Sequence, residues 1–120
     1  MGNLYRFAEP IVLVSLARLG TTYGYQIAQE AERLAVTHAG LDAAAIYRTL
    51  RRLEDAGYVN STWDTRGPGP ARRDYVLTEA GWAHLREWAE VLEDFLKSLR
   101  AVLEQCREAV KKHDEEHADQ

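Results

Sequence analysis

Six arginines between residues 48 and 73 carry the chemistry that stands out in the sequence. Arg48, Arg51 and Arg52 lie in AIYRTLRRLEDAGYV, and Arg66, Arg72 and Arg73 surround the breaker cluster RGPGPA. No lysine interrupts them. A guanidinium offers a planar fork of donors that matches a phosphate or a guanine edge bidentately, whereas an ammonium is a compact point charge. A solvated face chosen for helix propensity is the alternative, but such a face usually mixes in lysine. The formal net charge of -4 argues against an anionic partner until its distribution is considered. Residues 1–77 hold nine arginines against eight acids, and residues 78–120 hold six cations against eleven acids. The negative charge therefore belongs to the C-terminal third.

Other reactive residue types give weaker signals. His113-Asp-Glu-Glu-His117 has the H-x-x-E-H spacing that can hold zinc beside a glutamate base, yet it sits in a charged tail without further ligands. A solvated tail is the better account, and no metal or cofactor is expected. Cys106 is the single cysteine, so no intramolecular disulfide is possible, and its helical register makes it a small hydrophobe. Trp82 and Trp88 recur near the start of the last helical pattern, where packing is the default role for the residue type. No nucleophile–base set or phosphate-binding glycine loop is present, so no enzyme activity is expected. The N-terminal MGNLYRFAEP lacks the apolar core of a secretory signal, and no run approaches the roughly eighteen apolar residues of a membrane span. A soluble cytoplasmic protein with no membrane partner is expected.

The elements that must position the arginines follow from periodicity and caps. Ile11, Val12, Leu13, Leu16 and Leu19 define a first helix opening near Glu9, with Pro10 tolerated in its first turn and Gly20 ending it. Thr21 or Thr22 can cap a second helix whose buried stripe is Tyr25, Ile27, Ala28, Ala31 and Leu34, fading by Val36. THAGLD reads as a turn, and Asp42 caps a third helix from Ala43 to about Ala56, closed by Gly57. Strand-like YVNSTWDT and RDYVLT flank the Gly/Pro cluster as a two-stranded hairpin, with Trp63 assigned to packing. Thr78 caps a fourth helix from Glu79. There Leu85, Leu92, Leu99 and Cys106 recur every seventh residue, as do Trp88, Phe95, Val102 and Ala109, with Leu103 in the flanking row. An apolar seam of this length requires a partner helix, expected from a second chain, with Leu4 to Leu19 assisting. The final segment, 113–120, reads as a frayed tail.

On the third helix, Ile46, Leu50 and Leu53 form the core face. Ala44, Arg48, Arg51 and Asp55 lie opposite, with Ala45 and Arg52 on one shoulder and Tyr47 on the other. This helix fits a DNA major groove, with arginines for guanine or phosphate and alanine methyls for thymine. Arg66, Arg72 and Arg73 on the hairpin tip are placed to reach the adjacent backbone or minor groove. Tyr23, Gly24 and Tyr25 can be read as an aromatic ligand cage, but the better account is that Gly24 permits close helix packing while a tyrosine plugs the core or reaches a phosphate. The order helix, helix, recognition helix, hairpin is that of a winged helix-turn-helix, a mainly α (α+β) fold with a long C-terminal helix.

NLYRFAEPIVLVSLARLG, YGYQI, AIYRTLRRLEDAGYV and STWDTRGPGPARRDYVLTEAG, in this order over about residues 3–82, resemble the PadR family of bacterial transcriptional regulators. A single helix after the wing resembles the short subgroup of that family. The resemblance implies residues 1–78 as the DNA-binding domain, 79–112 as the dimerisation helix, and 113–120 as a tail. It further implies a homodimeric repressor on an inverted-repeat operator of double-stranded DNA, released by a small aromatic effector, with Tyr25 as a phosphate contact and Trp82 and Trp88 as the candidates for an effector pocket. The segment THAGLDAAA departs from the short Ser-Pro-Gly approach typical of the family. A winged-helix module that binds protein without an operator is the alternative.

Overall fold

A computed structural model describes residues 7–34 and 42–118. The turn expected through residues 37–41, the fading of the second helix by Val36, and Leu4 lie outside the described residues. The elements run α1 (Ala8–Leu19), β1 (Thr22–Tyr23), α2 (Gly24–Leu34), α3 (Ala43–Asp55), β2 (Val59–Asp64), β3 (Arg72–Leu77) and α4 (Glu79–His117). The three strands form one antiparallel sheet in the order β1-β3-β2.

Local chemistry sets the boundaries. Gly20 ends α1 by donating its amide to the Leu16 carbonyl. Asp42 caps α3 by accepting the Ala45 amide at 2.8 Å. At the other end of α3, Gly57 adopts φ 86°, and the Tyr58 amide reaches back to the Leu53 carbonyl at 2.9 Å, which satisfies an orphan carbonyl of the last turn. Thr78 accepts the Gly81 amide at 3.0 Å and donates its hydroxyl to the Gly57 carbonyl at 2.7 Å, so one side chain joins the end of α3 to the start of α4.

The core lies among α1, α2, α3 and the inner face of the sheet. Val12, Leu13, Leu16, Ile27, Ile46, Leu50, Leu53 and Val59 are all fully buried. Their burial removes from water the apolar stripes that the helical and strand periods predict. Register carries this face outward along the hairpin, because Val59 pairs with Leu77, Ser61 with Tyr75, and Trp63 with Arg73. His84 completes the base of α4. Its ring stacks on Tyr58 at 4.0 Å, and its Nε2 meets the Glu9 carboxylate.

The chain divides into two compact units, residues up to 86 and residues from 87 onward. The first unit therefore takes the opening two turns of α4, because Gly81 and His84 make the contacts just described. The second unit is the remainder of α4, and it exposes Leu92, Phe95, Leu96, Leu99, Val102, Leu103, Cys106 and Val110.

Four expectations need correction. Thr22 is not a helix cap: it lies in β1, pairs with Tyr75, and turns its hydroxyl to the Gln26 side chain, giving the sheet a third strand. Tyr25 is exposed on α2 and does not join the buried stripe of Ile27 and Ala31. Trp63 is exposed too, because β2 continues beyond the helices that could cover it; the Arg73 guanidinium carbon lies 5.3 Å from its ring centre. Finally, α4 runs through the expected tail to His117, as no glycine or proline interrupts residues 82–117.

Candidate nucleic-acid interface

The outward side of α3 is set by what its inward side buries. Ile46, Thr49, Leu50 and Leu53 are turned to the core, and the Thr49 hydroxyl donates to the Ala45 carbonyl at 2.9 Å. Ala44, Arg48, Arg51, Arg52 and Asp55 are exposed as a consequence of helical geometry. Ala45 is not among them. At 4% exposure it belongs to the core side, a correction to its expected place beside thymine methyls. Arg52 bends toward Thr49, with Nη2 donating to Oγ1 at 3.3 Å. A groove of about 480 Å³ runs between α1 and α3, lined by Ala8 and Thr49 together with Arg48, Arg51, Arg52 and Asp55.

A second cleft, of about 660 Å³, joins the start of α2 to α3 and β3. It brings together Tyr25, Tyr47, Arg72 and Arg73, four residues singled out by type and spacing, with Tyr23 and Tyr75 as further walls. Gly24 makes this cleft possible. A Cβ there would stand 2.5 Å from Cε1 of Tyr47, so a glycine lets the tyrosine ring lie against the helix start. Gln29 donates to the Tyr25 hydroxyl at 3.1 Å, which leaves that phenol free to donate outward. Burial pushes the Tyr75 phenol above its ordinary pKa.

The hairpin arginines are not equivalent. Arg73 donates from Nε to the Ser61 hydroxyl at 2.9 Å and from Nη2 to Glu54 at 3.5 Å, while Ser61 itself donates to Glu54. This brace ties the last turn of α3 to both strands. Arg66 pairs with Asp64, Nε to Oδ1 at 3.0 Å, and the Tyr23 hydroxyl donates to the other oxygen of Asp64 at 2.9 Å. The Arg66 side chain and amide hold the Asp64 carboxyl well below the usual carboxylate range, and the hydrogen bond to Asp64 raises the Tyr23 phenol in turn. Arg72 has its guanidinium carbon 5.1 Å from the centre of the Tyr23 ring. Sequence reading missed Tyr23, Glu54 and Asp64 as partners, and the only local signal was the Asp-x-Arg spacing ahead of a Gly/Pro turn, which permits a side-chain-closed turn.

The remaining candidates lie on α4. Trp82 is 39% exposed in the first unit, Trp88 is half-buried in the second, and neither lines the two cavities above. Leu85 is half-buried and Leu92, Phe95, Leu99, Val102, Leu103 and Cys106 are exposed along the helix. Among the described residues no cluster of three or more metal-ligating side chains occurs, and no helix is long and apolar enough to cross a membrane.

Solved structures share this architecture. A conserved protein of unknown function, named a potential transcriptional factor, is 26% identical with TM-score 0.75, covering 88% of this chain and 92% of its own. A PadR family transcriptional regulator from Eggerthella lenta is 27% identical with TM-score 0.66, covering 83% and 85%. Bacillus subtilis PadR in complex with operator DNA is 23% identical with TM-score 0.58, covering 70% of this chain and 47% of its own, a likeness of fold. No curated protein matches the sequence. The family model described as the transcriptional regulator PadR-like family matches residues 12–87, from the buried face of α1 through the hairpin to the start of α4. Because that span is more than half of the chain and contains every element positioning the arginine face, the chain belongs to the PadR-like family of transcriptional regulators.

Proposed function

We propose that this regulator is a homodimeric, sequence-specific repressor that places α3 of each subunit in the major groove of an inverted-repeat operator. The observation that carries the reading is the exposure of Arg48 and Arg51 on the side of α3 opposite the buried Ile46, Leu50 and Leu53. Their guanidiniums are available for guanine edges or phosphates, with Ala44 leading the same face. Tyr25, Tyr47 and Arg72 border the neighbouring cleft and supply donors for the backbone on one flank. Arg73, braced on Glu54, sets the angle between hairpin and helix. That Bacillus subtilis PadR, a likeness of fold, has been solved with operator DNA supports DNA as the partner.

Dimerisation is assigned to α4, whose exposed apolar stripe is a poor surface to leave in water. Two-fold symmetry then makes the operator an imperfect palindrome with half-sites about one helical turn apart. A small aromatic effector near Trp82 or Trp88 would act by changing the separation of the two α3 helices, which requires only a different affinity for the two spacings. The work is that of a cytoplasmic DNA-binding protein, with no enzyme step.

A mobility shift on the DNA upstream of the protein's own coding sequence tests the reading. A saturable complex that outcompetes a scrambled duplex at physiological salt is expected. Its absence would leave a winged-helix module for protein partners.

A further inference from the structure

Asp64 closes β2 at the point where three polar groups converge. Its side chain is only 10% exposed. One oxygen accepts the Tyr23 phenol at 2.9 Å, and the other accepts both the backbone amide and Nε of Arg66 at 3.0 Å. Nη2 of Arg66 lies 3.4 Å from the first oxygen. The Arg66 side chain remains 85% exposed, so a cation at the wing tip is turned back along the hairpin and matched by a carboxylate. Tyr23 ties the same carboxylate to the residue immediately before α2.

We propose that Asp64 is a positioning residue that keeps Arg66 paired while the wing meets DNA, so the tip adds shape and register to operator recognition without a net phosphate contact. The inference rests on the DNA-binding reading above. Asp64 has exchanged most of its water for three fixed donors. Drawing Arg66 away to a phosphate would leave a nearly buried carboxylate with the Tyr23 phenol and the amide alone, a loss that an exposed phosphate pair does not recover. The Tyr23 bond keeps Asp64 from following the arginine. Pairing of this kind lowers the attraction of the tip for any duplex, since the sequence-independent part of affinity grows with each phosphate neutralised. Discrimination between operator and other DNA rises accordingly.

The test uses the full chain and fluorescence anisotropy on two duplexes of equal length, the upstream DNA of its own coding sequence and a scrambled version, from 50 to 200 mM KCl. Asp64→Asn releases Arg66. The slope of log affinity against log salt is expected to steepen by about 0.9 on both duplexes, an extra loss of about three- to fourfold over that range, and the upstream-to-scrambled ratio should narrow. Asp64→Asn with Arg66→Ala should return the slope to the parent's. A double variant flatter than the parent means that Arg66 already contacts phosphate there, and overturns the proposal. So does Asp64→Asn with lower affinity at unchanged slope, the result of a purely structural role. A parent that binds neither duplex removes the DNA-binding reading and this inference together, whereas a binding parent with an unresponsive Asp64→Asn slope removes this inference alone.

Discussion

A Cβ built on Gly81 would lie 2.1 Å from the carbonyl oxygen of Tyr58. The first turn of α4 thus sits directly on the backbone that leaves α3, and Thr78 stitches the same junction by donating its amide to that carbonyl at 3.1 Å. Gly81→Ala gains helix propensity of about 1 kcal/mol but cannot keep this approach. The obstacle is backbone, not the end of a flexible side chain, so a net loss of about 1–3 kcal/mol is expected from urea melting. At Gly24 the obstacle is the partly exposed Tyr47 ring, which can swing outward. Gly24→Ala is therefore expected to cost less than Gly81→Ala, and the reverse order would contradict the packing described at both sites.

The Tyr23–Asp64–Arg66 cluster predicts an acid limb of stability. Asp64 is held below its ordinary value of 3.8 by Arg66 and Tyr23, so the folded state favours the carboxylate more than the unfolded state does. That contribution is fully present above about pH 4 and is lost as pH falls through the depressed folded value. Tyr23 works in the opposite direction. Its phenol is raised above 10.0, so its contribution holds below about pH 10 and fades as pH climbs through the raised value. Thermal melts from pH 2 to 5 should show the parent losing stability more steeply than Asp64→Asn. Parallel curves would mean that the cluster does not persist in solution.

Much of this arrangement was legible because local chemistry agrees with tertiary need. Asp42 before three alanines, Gly57 after a helical run and Thr78 before Glu79 mark boundaries that the structure keeps, since each satisfies backbone groups by itself. The arginine face of α3 followed from the burial of Ile46, Leu50 and Leu53. What failed depended on distant partners. A two-residue β1 has no period of its own and exists because the edge of β3 offers Asp74 and Tyr75. Ala45 sits on the shoulder of a helical wheel, and packing among the neighbouring helices decides that it is buried. Trp63 shares a strand face with buried Val59, but burial ends where the helices end. The charge pairing of the wing was hidden for the same reason: Glu54 and Arg73 are nineteen residues apart, Tyr23 and Asp64 forty-one.

The stripe on α4 predicts how the proposed dimer comes apart. Leu92 and Leu99 are 37% and 49% exposed in the single chain and fall seven residues apart. In a two-chain seam, Leu92→Asp or Leu99→Asp would place a carboxylate among apolar side chains without a partner, a cost of about 3 kcal/mol or more in comparable buried settings. In an isolated helix the same change merely adds a surface charge. Sedimentation should therefore show loss of the dimer with helical content and the first unit's melting retained. A variant that remains dimeric would move the interface off this stripe.

The arginines of α3 can be separated by the kind of contact each makes. Arg48 and Arg51 extend from the outward face, whereas Arg52 is drawn toward Thr49 at 3.3 Å. An arginine bonded to a base edge gives about 1–3 kcal/mol of discrimination, so its alanine variant should weaken operator binding and relax preference at one base position. An arginine bonded to phosphate should instead weaken all duplexes alike and reduce the salt slope by about 0.9. Arg48→Ala and Arg51→Ala are expected to show the first pattern, Arg52→Ala the second, since a side chain anchored on its own helix reaches sideways to the groove wall more readily than to its floor. Titrations at several salt concentrations against the operator and single-base variants resolve the three. If all three variants bind like the parent, α3 is not the helix that enters the groove.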